Sequence, residues 1–537
     1  MSIDRLTGVT RRRIAILSPN PPPKLMNQLR IRNFETAICT DGQLNNPYFL
    51  EVTAAVVFIQ SKDKPLQIDH DLCEYATTLL DFDCRIFVLS ESTSINILIN
   101  VIDKLKLPTA GLLNIMPQEK SKPKEIVYGD PPTPHVRVMG DLGNGNSWET
   151  AADIIANFVC EHAPGRAPDR SLQIEKTGDE EISISQDILI RRAFFDCRKV
   201  VLKELTDGNS GVLAYIARVE LANGAYSKWP QPYFVKLGDR EKIYAEYKSY
   251  IDKVDPYIPY HLTPNLVPER CCLGAKMGII VGDYIAGSES LLDCARGGRS
   301  AQVISCLFDQ ALWNWHNDEA RTLRPIMDVV RLPKSINQSR IDQARSWGAG
   351  NNLKQLKNVF LQISKENCLV GPIHGDLHAA NVRVRAPDAI LIDFCAHKNG
   401  AIIYDPACLE ASLLIDGGEI SKIGIIDWLK MIDTLYSSTP LLQPSCSCHP
   451  ANPLSWLYSC IEQIRLYARK WEISPNQYAM VLSAALLCKA SKVNRKKEDP
   501  QEPFRAAAYF IADRILSNIA KSLKLDLGNE ACAIIKY

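Results

Sequence analysis

No stretch of this sequence reaches the run of about 18 apolar residues that a membrane-spanning helix requires. A helical integral membrane protein is therefore not expected. The apolar run Ile14-Ala15-Ile16-Leu17 after Arg11-Arg12-Arg13 is too short for a secretory signal, and no small-residue cleavage site follows it. A surplus of charge is missing too. With 62 Lys and Arg against 61 Asp and Glu, the net charge of +1 supplies no global field toward nucleic acid or a membrane surface. There is no internal repeat and no long low-complexity tract. A disulfide framework is also not indicated: the 17 cysteines are scattered through apolar contexts such as Phe158-Val159-Cys160, where a small reduced side chain is expected. Cys446-Ser447-Cys448-His449 is the one clustered set, and without a second ligand pair it reads as a loop and not a zinc site. These absences point to a cytoplasmic protein with no nucleic-acid or membrane partner.

What is present fits a large globular chain. At 537 residues, 46% hydrophobic and 23% charged, the chain has room for two to four domains of about 150 residues each. Residues 1–162 alternate buried-strand patterns (Arg13 to Leu17, Thr36 to Thr40, Ala54 to Ile59, Arg85 to Leu89, His135 to Met139) with amphipathic stretches such as Asp69 to Leu80 and Ser94 to Leu105. That alternation predicts a doubly wound α/β domain, loosely similar to flavodoxin or receiver domains. No acidic pair ends the first strand, and Ala55 to Ile59 ends on Gln60-Ser61 where a receiver needs its phospho-accepting Asp, so phosphorelay is not expected. The Lys- and Pro-rich stretch Pro117 to Pro134 reads as an exposed loop. Gly140 to Ser147 has two readings, an anion cradle before a helix or a Gly/Asn turn capped by Ser147. Residues 163–184, with Pro164, Gly165, Pro168 and a charged tail, read as an interdomain linker.

Chemistry concentrates in Ile373 to Phe394, IHGDLHAANVRVRAPDAILIDF. Moving a γ-phosphoryl needs a carboxylate to orient the attacking hydroxyl and oxygen ligands to hold magnesium on the phosphates. Asp376, Asn381 and Asp393 can supply all three. The Asp376 to Asn381 spacing equals that of the kinase catalytic loop H-R-D-L-x-x-x-N. Strands at Asn381 to Val384 and Ala389 to Ile392, joined by the turn Ala386-Pro387-Asp388, would bring Asn381 and Asp393 together.

On these residues the chain resembles the aminoglycoside phosphotransferase and choline kinase-like family, whose HGDLHxxNV signature is followed by a hydrophobic strand and IDF. The resemblance runs from about residue 200 to the C-terminus, with Gly278 to Gly287 similar to the family's hinge strand and Ala311 to His316 similar to its aLxxLH helix. It implies a two-lobed α+β kinase-like fold, with a small lobe and hinge over 185–287 and a mostly helical large lobe over 288–537. It also implies ATP and Mg²⁺ as cofactors, Asp376 as the catalytic group, and Asn381 and Asp393 as metal ligands. Two departures stand out: Gly375 occupies the place of the protein-kinase Arg that pairs with a phosphorylated activation loop, and Cys395 that of the DFG glycine. Asp393 to Asp405 is also too short for an activation segment. All three favour a small-molecule acceptor.

Within the small lobe, Gly208 and Gly211 form a reduced version of the kinase glycine loop that covers the nucleotide phosphates. Lys236 lies inside the apolar strand Pro232 to Leu237, where an unpaired ammonium is costly, so a phosphate or carboxylate partner is expected. Glu241 and Glu246 follow on one helix, and the resemblance selects Glu246 because the family's glutamate is mid-helix. It also places Val281, Asp283 and Tyr284 at the hinge, touching the base mostly through main chain. Asp405 has two readings, a brace for the catalytic loop or a helix N-cap, and His374 reads as a loop brace and not a base. The expected function is ATP-dependent phosphoryl transfer to a hydroxyl of a small molecule. The alternative is a nucleotide-binding pseudokinase whose amino-terminal domain senses a ligand or meets a protein partner.

Overall fold

The computed structural model describes residues 11–60, 70–90, 114–115, 124–128, 136–178, 181–205, 213–222, 232–317, 321–363, 366–437, 440–442, 452–492 and 501–525, apart from 19, 45, 141, 143–146 and 421. The chain divides into two compact units, Met1–Tyr247 with Leu266–Tyr284, and Lys248–Asn265 with Ile285–Tyr537. Among the described residues no helix is long and apolar enough to cross a membrane. None of the cysteines whose side chains are described is in a disulfide.

The first unit begins with a seven-stranded sheet. Its strands are β1 (Arg13–Leu17), β2 (Glu35–Ile38), β3 (Thr53–Gln60), β4 (Arg85–Ser90), β5 (Asn114–Ile115), β6 (Lys124–Tyr128) and β7 (Val136–Gly140). They lie in the order β2-β1-β3-β4-β7-β6-β5, parallel through β7 and antiparallel beyond it. Successive side chains of a strand point to opposite faces, and here both faces are covered. Ile14, Ile16, Val57 and Phe87 pack with Leu25 and Leu29 of the helix Pro23–Ile31 and with Ile155 and Val159 of the helix Ser147–Glu161. Ala15, Val56, Phe58 and Val88 pack with Leu44, Leu50 and Leu79 on the other side. Double burial explains why these strands read as continuous apolar runs. The stretch expected as a loop at 117–134 is corrected in its middle: Lys124–Tyr128 is a strand, with Tyr128 opposite Val136. The expected helix Ser94 to Leu105 and most of the loop Gly140 to Ser147 lie outside the described residues.

A second sheet follows in the same unit: β8 (Gln173–Thr177), β9 (Cys197–Glu204), β10 (Leu213–Leu221), β11 (Tyr233–Asp239), β12 (Cys272–Leu273) and β13 (Met277–Asp283), in the order β12-β13-β11-β10-β9-β8. All its pairings are antiparallel except the edge pair β8 and β9. The expected linker is thus corrected, since residues 173–177 of it form an edge strand. Pro164, Gly165 and Pro168 precede the strand and Gly178 follows it, and its alternation of Gln173, Glu175 and Thr177 with half-buried Ile174 and Lys176 leaves a weak apolar signal.

The two sheets of this unit share packing. Ala275 belongs to the same core as Val56 and Leu79, and Ile188 of the helix Ile184–Ala193 packs against it. Asp81 accepts from Ala275 N at 2.8 Å and from Ser185 Oγ at 2.8 Å. Asp83 holds Arg85 at 2.7 Å, Gly165 N at 2.6 Å and Arg192 at 3.3 Å.

The second unit has two small antiparallel sheets. One contains β14 (Glu289–Ser290), with β17 and β18; the other contains β15 (Thr322–Pro325) and β16 (Asn367–Ile373), with β19. The remaining strands are β17 (Val382–Arg385), β18 (Asp388–Leu391) and β19 (Lys398–Ala401). Around them pack the helices Tyr404–Ile420, Ile425–Tyr436, Ser455–Ala468, Gln477–Ser491 and Glu502–Leu523. The core between these helices contains a buried carboxylate, Glu410. It accepts from Arg465 Nη2 at 2.7 Å, Tyr436 Oη at 3.0 Å and Tyr478 Oη at 2.7 Å, which satisfies a charge that would otherwise be costly to bury.

Candidate active site

The loop between β16 and β17 carries Asp376 and Asn381, and the chain just after β18 carries Asp393. The hairpin β17-β18 pairs Val382 with Leu391, and Ile392 N donates to Asn381 O at 3.0 Å. That register brings the backbone of Asn381 next to the residue before Asp393, as the strand-turn-strand pattern predicts. Asn381 is 6% exposed and its Nδ2 donates to Asp376 O at 3.0 Å. Its Oδ1 has no protein donor among the described residues, so the amide is turned with its oxygen available as a ligand. Asp376, by contrast, has a side chain 60% exposed, with its carboxylate 3.8 Å from His378 Nε2. Burial lowers the pKa of His378 from its ordinary value, which disfavours a second charge beside the Asp376 carboxylate.

Asp393 sits at φ 62°, ψ 77°, the left-handed region, which costs a non-glycine residue about 1–2 kcal/mol. Strain of this kind persists where surrounding structure over-determines it. The constraint here is built from several sides. His374 Nε2 lies 3.0 Å from Ile392 O, Phe394 is buried against the rings of His374, Tyr250 and Trp315, and Trp315 Nε1 donates to Lys253 O at 2.8 Å. Gly375 has φ 80°, and a Cβ there would come within 2.3 Å of Ala396 O. The glycine in place of the kinase arginine is therefore required by backbone geometry.

Asp405 is fully buried and accepts from His374 N at 2.7 Å and Gly375 N at 3.0 Å. Of its two sequence readings, the loop brace is the one observed. Burial pushes its carboxyl up, but His316, with Nε2 3.9 Å away, and the His374 amide outweigh burial and hold it below the usual carboxylate range. Sequence reasoning missed Ser412, whose Oγ accepts from Ala379 N at 3.1 Å and donates to Asp416 at 2.6 Å, with Lys489 3.2 Å from Asp416. No local signal marks these residues, because they reach the loop from the helices Tyr404–Ile420 and Gln477–Ser491.

The first unit holds the other predicted residues. Lys236, on β11 and 5% exposed, places Nζ 2.8 Å and 2.7 Å from the two carboxylate oxygens of Glu246, on the helix Arg240–Ser249. Glu241 instead starts that helix, where its N–H is capped by Asp239 at 3.1 Å. The hinge expectation is corrected at one position. Val281 is fully buried in the core of the second sheet, its carbonyl accepts from Val267 N at 2.9 Å, and its N–H meets Cys271 Sγ at 3.4 Å. With both main-chain groups engaged, it has none to offer a base, which leaves Asp283 and Tyr284; Tyr284 N donates to Pro232 O at 3.1 Å. Gly208 and Gly211 lie outside the described residues.

Solved structures similar to this chain include an amicoumacin kinase in complex with AMP-PNP and Ca²⁺, a glucosamine kinase with glucosamine, ADP and inorganic phosphate, and an aminoglycoside phosphotransferase from Alicyclobacillus acidocaldarius. The first is 10% identical, covers 61% of this chain and 90% of its own, with a TM-score of 0.29. The second is 12% identical over 64% and 88%, at 0.30, and the third 13% identical over 60% and 91%, at 0.29. No family model and no curated protein sequence matches the chain.

Proposed function

We propose that this chain is an ATP- and Mg²⁺-dependent phosphotransferase that moves the γ-phosphoryl group to a hydroxyl of a small molecule. The observation that carries this is the arrangement of the loop after β16: an exposed Asp376 carboxylate, an Asn381 amide fixed with its oxygen unpartnered, and Asp393 held in a strained conformation after β18. Asp376 accepts the proton of the acceptor hydroxyl as it attacks, or orients that hydroxyl toward phosphorus. Asn381 Oδ1 and the Asp393 carboxylate are hard oxygen donors of the kind Mg²⁺ takes. The ion would neutralise charge on the phosphates. Lys236, aligned by Glu246, is the cation available to the nucleotide's phosphate oxygens. The similar kinases solved with AMP-PNP or ADP are consistent with ATP as the donor. In this reading the amino-terminal domain, with its seven-stranded sheet of mixed direction, serves regulation and not chemistry.

Asp376→Ala tests the assignment. Incubation of purified protein with γ-labelled ATP and a fractionated small-molecule extract should label a small acceptor. The alanine variant should bind Mg-ATP normally while turning over roughly 10²- to 10⁴-fold more slowly. Unchanged turnover removes Asp376 from the mechanism. ATP binding with no label on any acceptor supports the pseudokinase alternative instead.

A further inference from the structure

The first unit contains a cavity of about 300 Å³ whose lining includes four arginines, Arg85, Arg166, Arg192 and Arg240, and the carboxylates of Asp83 and Glu269. Of the arginines, Arg240 donates through Nη1 to the carbonyl of Gly274 and Arg85 is paired with Asp83. Of the two carboxylates, Asp83 is fully used. Both oxygens of Asp83 are taken, one by Arg85 and the other by Gly165 N and Arg192. Arg192, 4% exposed, donates through Nη1 to the carbonyls of Asp81 at 2.8 Å and Leu273 at 3.0 Å, yet its buried Nε has no acceptor among the described residues. Arg166 lies at the exposed side. It stacks on the ring of Phe195 at 4.6 Å and makes no ion pair among the described residues. A buried N–H without an acceptor costs about 1–3 kcal/mol, and a guanidinium with no ion pair, such as Arg166, suits an anion that accepts from its planar fork.

The rest of the wall is apolar. Ile243, Tyr244 and Tyr247 come from the helix Arg240–Ser249, and Ile279 and Ile280 from β13. The volume is at the lower end of the range for ligand pockets, about 300–1,000 Å³. We propose that this cavity binds a small metabolite carrying a carboxylate or phosphate on a compact apolar or aromatic body, with the oxyanion between Arg166 and Arg192. Because four of its lining side chains, Arg240, Ile243, Tyr244 and Tyr247, belong to the helix that carries Glu246, an occupant buttresses that helix. Binding itself does not depend on the phosphotransfer reading; what it adds to that reading is a route by which the amino-terminal domain controls the Lys236–Glu246 pair.

Three probes test it on the full chain: phenyl phosphate, benzoate and the uncharged benzyl alcohol. A saturable rise in thermal midpoint is expected with one or both anions and none with the alcohol, and which anion binds decides between phosphate and carboxylate. Amide exchange over residues 240–249 should slow at least several-fold in the bound state. In Arg166→Glu, which loses the stacking on Phe195 but at an exposed position should still melt cooperatively, both effects should vanish. An anion effect of equal size in Arg166→Glu places the anion elsewhere and overturns the proposal. So does an equal shift with benzyl alcohol, an absence of any saturable shift, or binding that leaves exchange over 240–249 unaltered. None of these readouts uses acceptor turnover, so failure here is distinct from failure of the phosphotransferase assignment.

Discussion

Asp405 and His374 are joined across 31 residues of sequence by a hydrogen bond from the His374 amide to the Asp405 carboxylate, 2.7 Å long and fully buried. The second carboxylate oxygen takes the amide of Gly375 at 3.0 Å. Two amides at the mouth of the loop that carries Asp376 are thus held by one side chain from the helix Tyr404–Ile420. Asp405→Asn keeps the shape but replaces one acceptor oxygen by an NH₂ facing a donor. Losing a charge-assisted bond and leaving a buried N–H unmatched should lower stability by about 2–3 kcal/mol. Turnover should fall together with the thermal midpoint. A variant with the wild-type midpoint would show that the brace carries no energy.

Gly375→Ala tests the same loop from inside. At φ 80° any Cβ is strained, and here it would press to 2.3 Å from Ala396 O, a backbone atom that cannot swing aside. A cost of about 1–2 kcal/mol is expected for the left-handed conformation alone, and the contact with Ala396 adds to it. The displaced segment contains Asp393, so Mg²⁺-dependent nucleotide affinity should weaken more than Mg²⁺-independent affinity. Equal loss of both would separate Gly375 from the metal ligands.

Much of this site is legible in the sequence because its spacing is local. Asp376 and Asn381 share a loop, and the apolar run before Asp393 reads as a strand whichever way the fold turns. Asp405 is only half legible: an acidic residue before a helix has two uses, and the choice between them is made by a bond to a residue 31 positions earlier. Edge strand β8 escapes because its pairing is made by backbone groups, and only Ile174 among its side chains is an apolar residue packed inward. The short strands β16 and β19 carry Gly371, Pro372 and Gly400, which read as turn residues. The arginine-lined cavity leaves no mark at all, since Arg85, Arg166, Arg192 and Arg240 come from four separate segments.

Acid stability offers a test of the packing behind the loop. Burial pushes the pKa of His397 down to about 4, and Lys253 and His374 push the same way while Asp405 opposes them. The ring lies 4.7 Å from that of Trp315. Between about pH 6.5, the ordinary histidine value, and pH 4, the unfolded chain binds a proton at this position that the folded chain does not. Stability should therefore be full above pH 6.5 and decline as pH falls toward 4. His397→Gln should flatten that decline. Asp405, held below the usual carboxylate range, contributes in the opposite sense of ionisation and is lost only at lower pH still. Denaturant midpoints measured from pH 8 to pH 4 check this, and a His397→Gln profile parallel to wild type would sink it.

The last prediction concerns whether the amino-terminal sheet can be removed. A polar, proline-containing stretch at 163–184 suggests independent modules, so a chain beginning at Ser185 would be expected to fold alone. The contacts argue otherwise. Truncation there removes β8 from the edge of its sheet, strips Asp81 from Ser185 and Ala275, and takes Asp83 from Arg192. It also uncovers Ile188 and Ala275, which pack in the core that includes Val56 and Leu79. Arg192 would keep the carbonyl of Leu273 and lose that of Asp81. A guanidinium deprived of its carboxylate beside newly exposed apolar surface is a poor boundary for a stable domain. The truncated chain should be insoluble, or should melt without a cooperative transition. Addition of Mg-ATP should produce no rise in midpoint comparable to that of the full chain. A cooperative transition near the full-length midpoint would show that the amino-terminal sheet is a separable module whose packing contributes little.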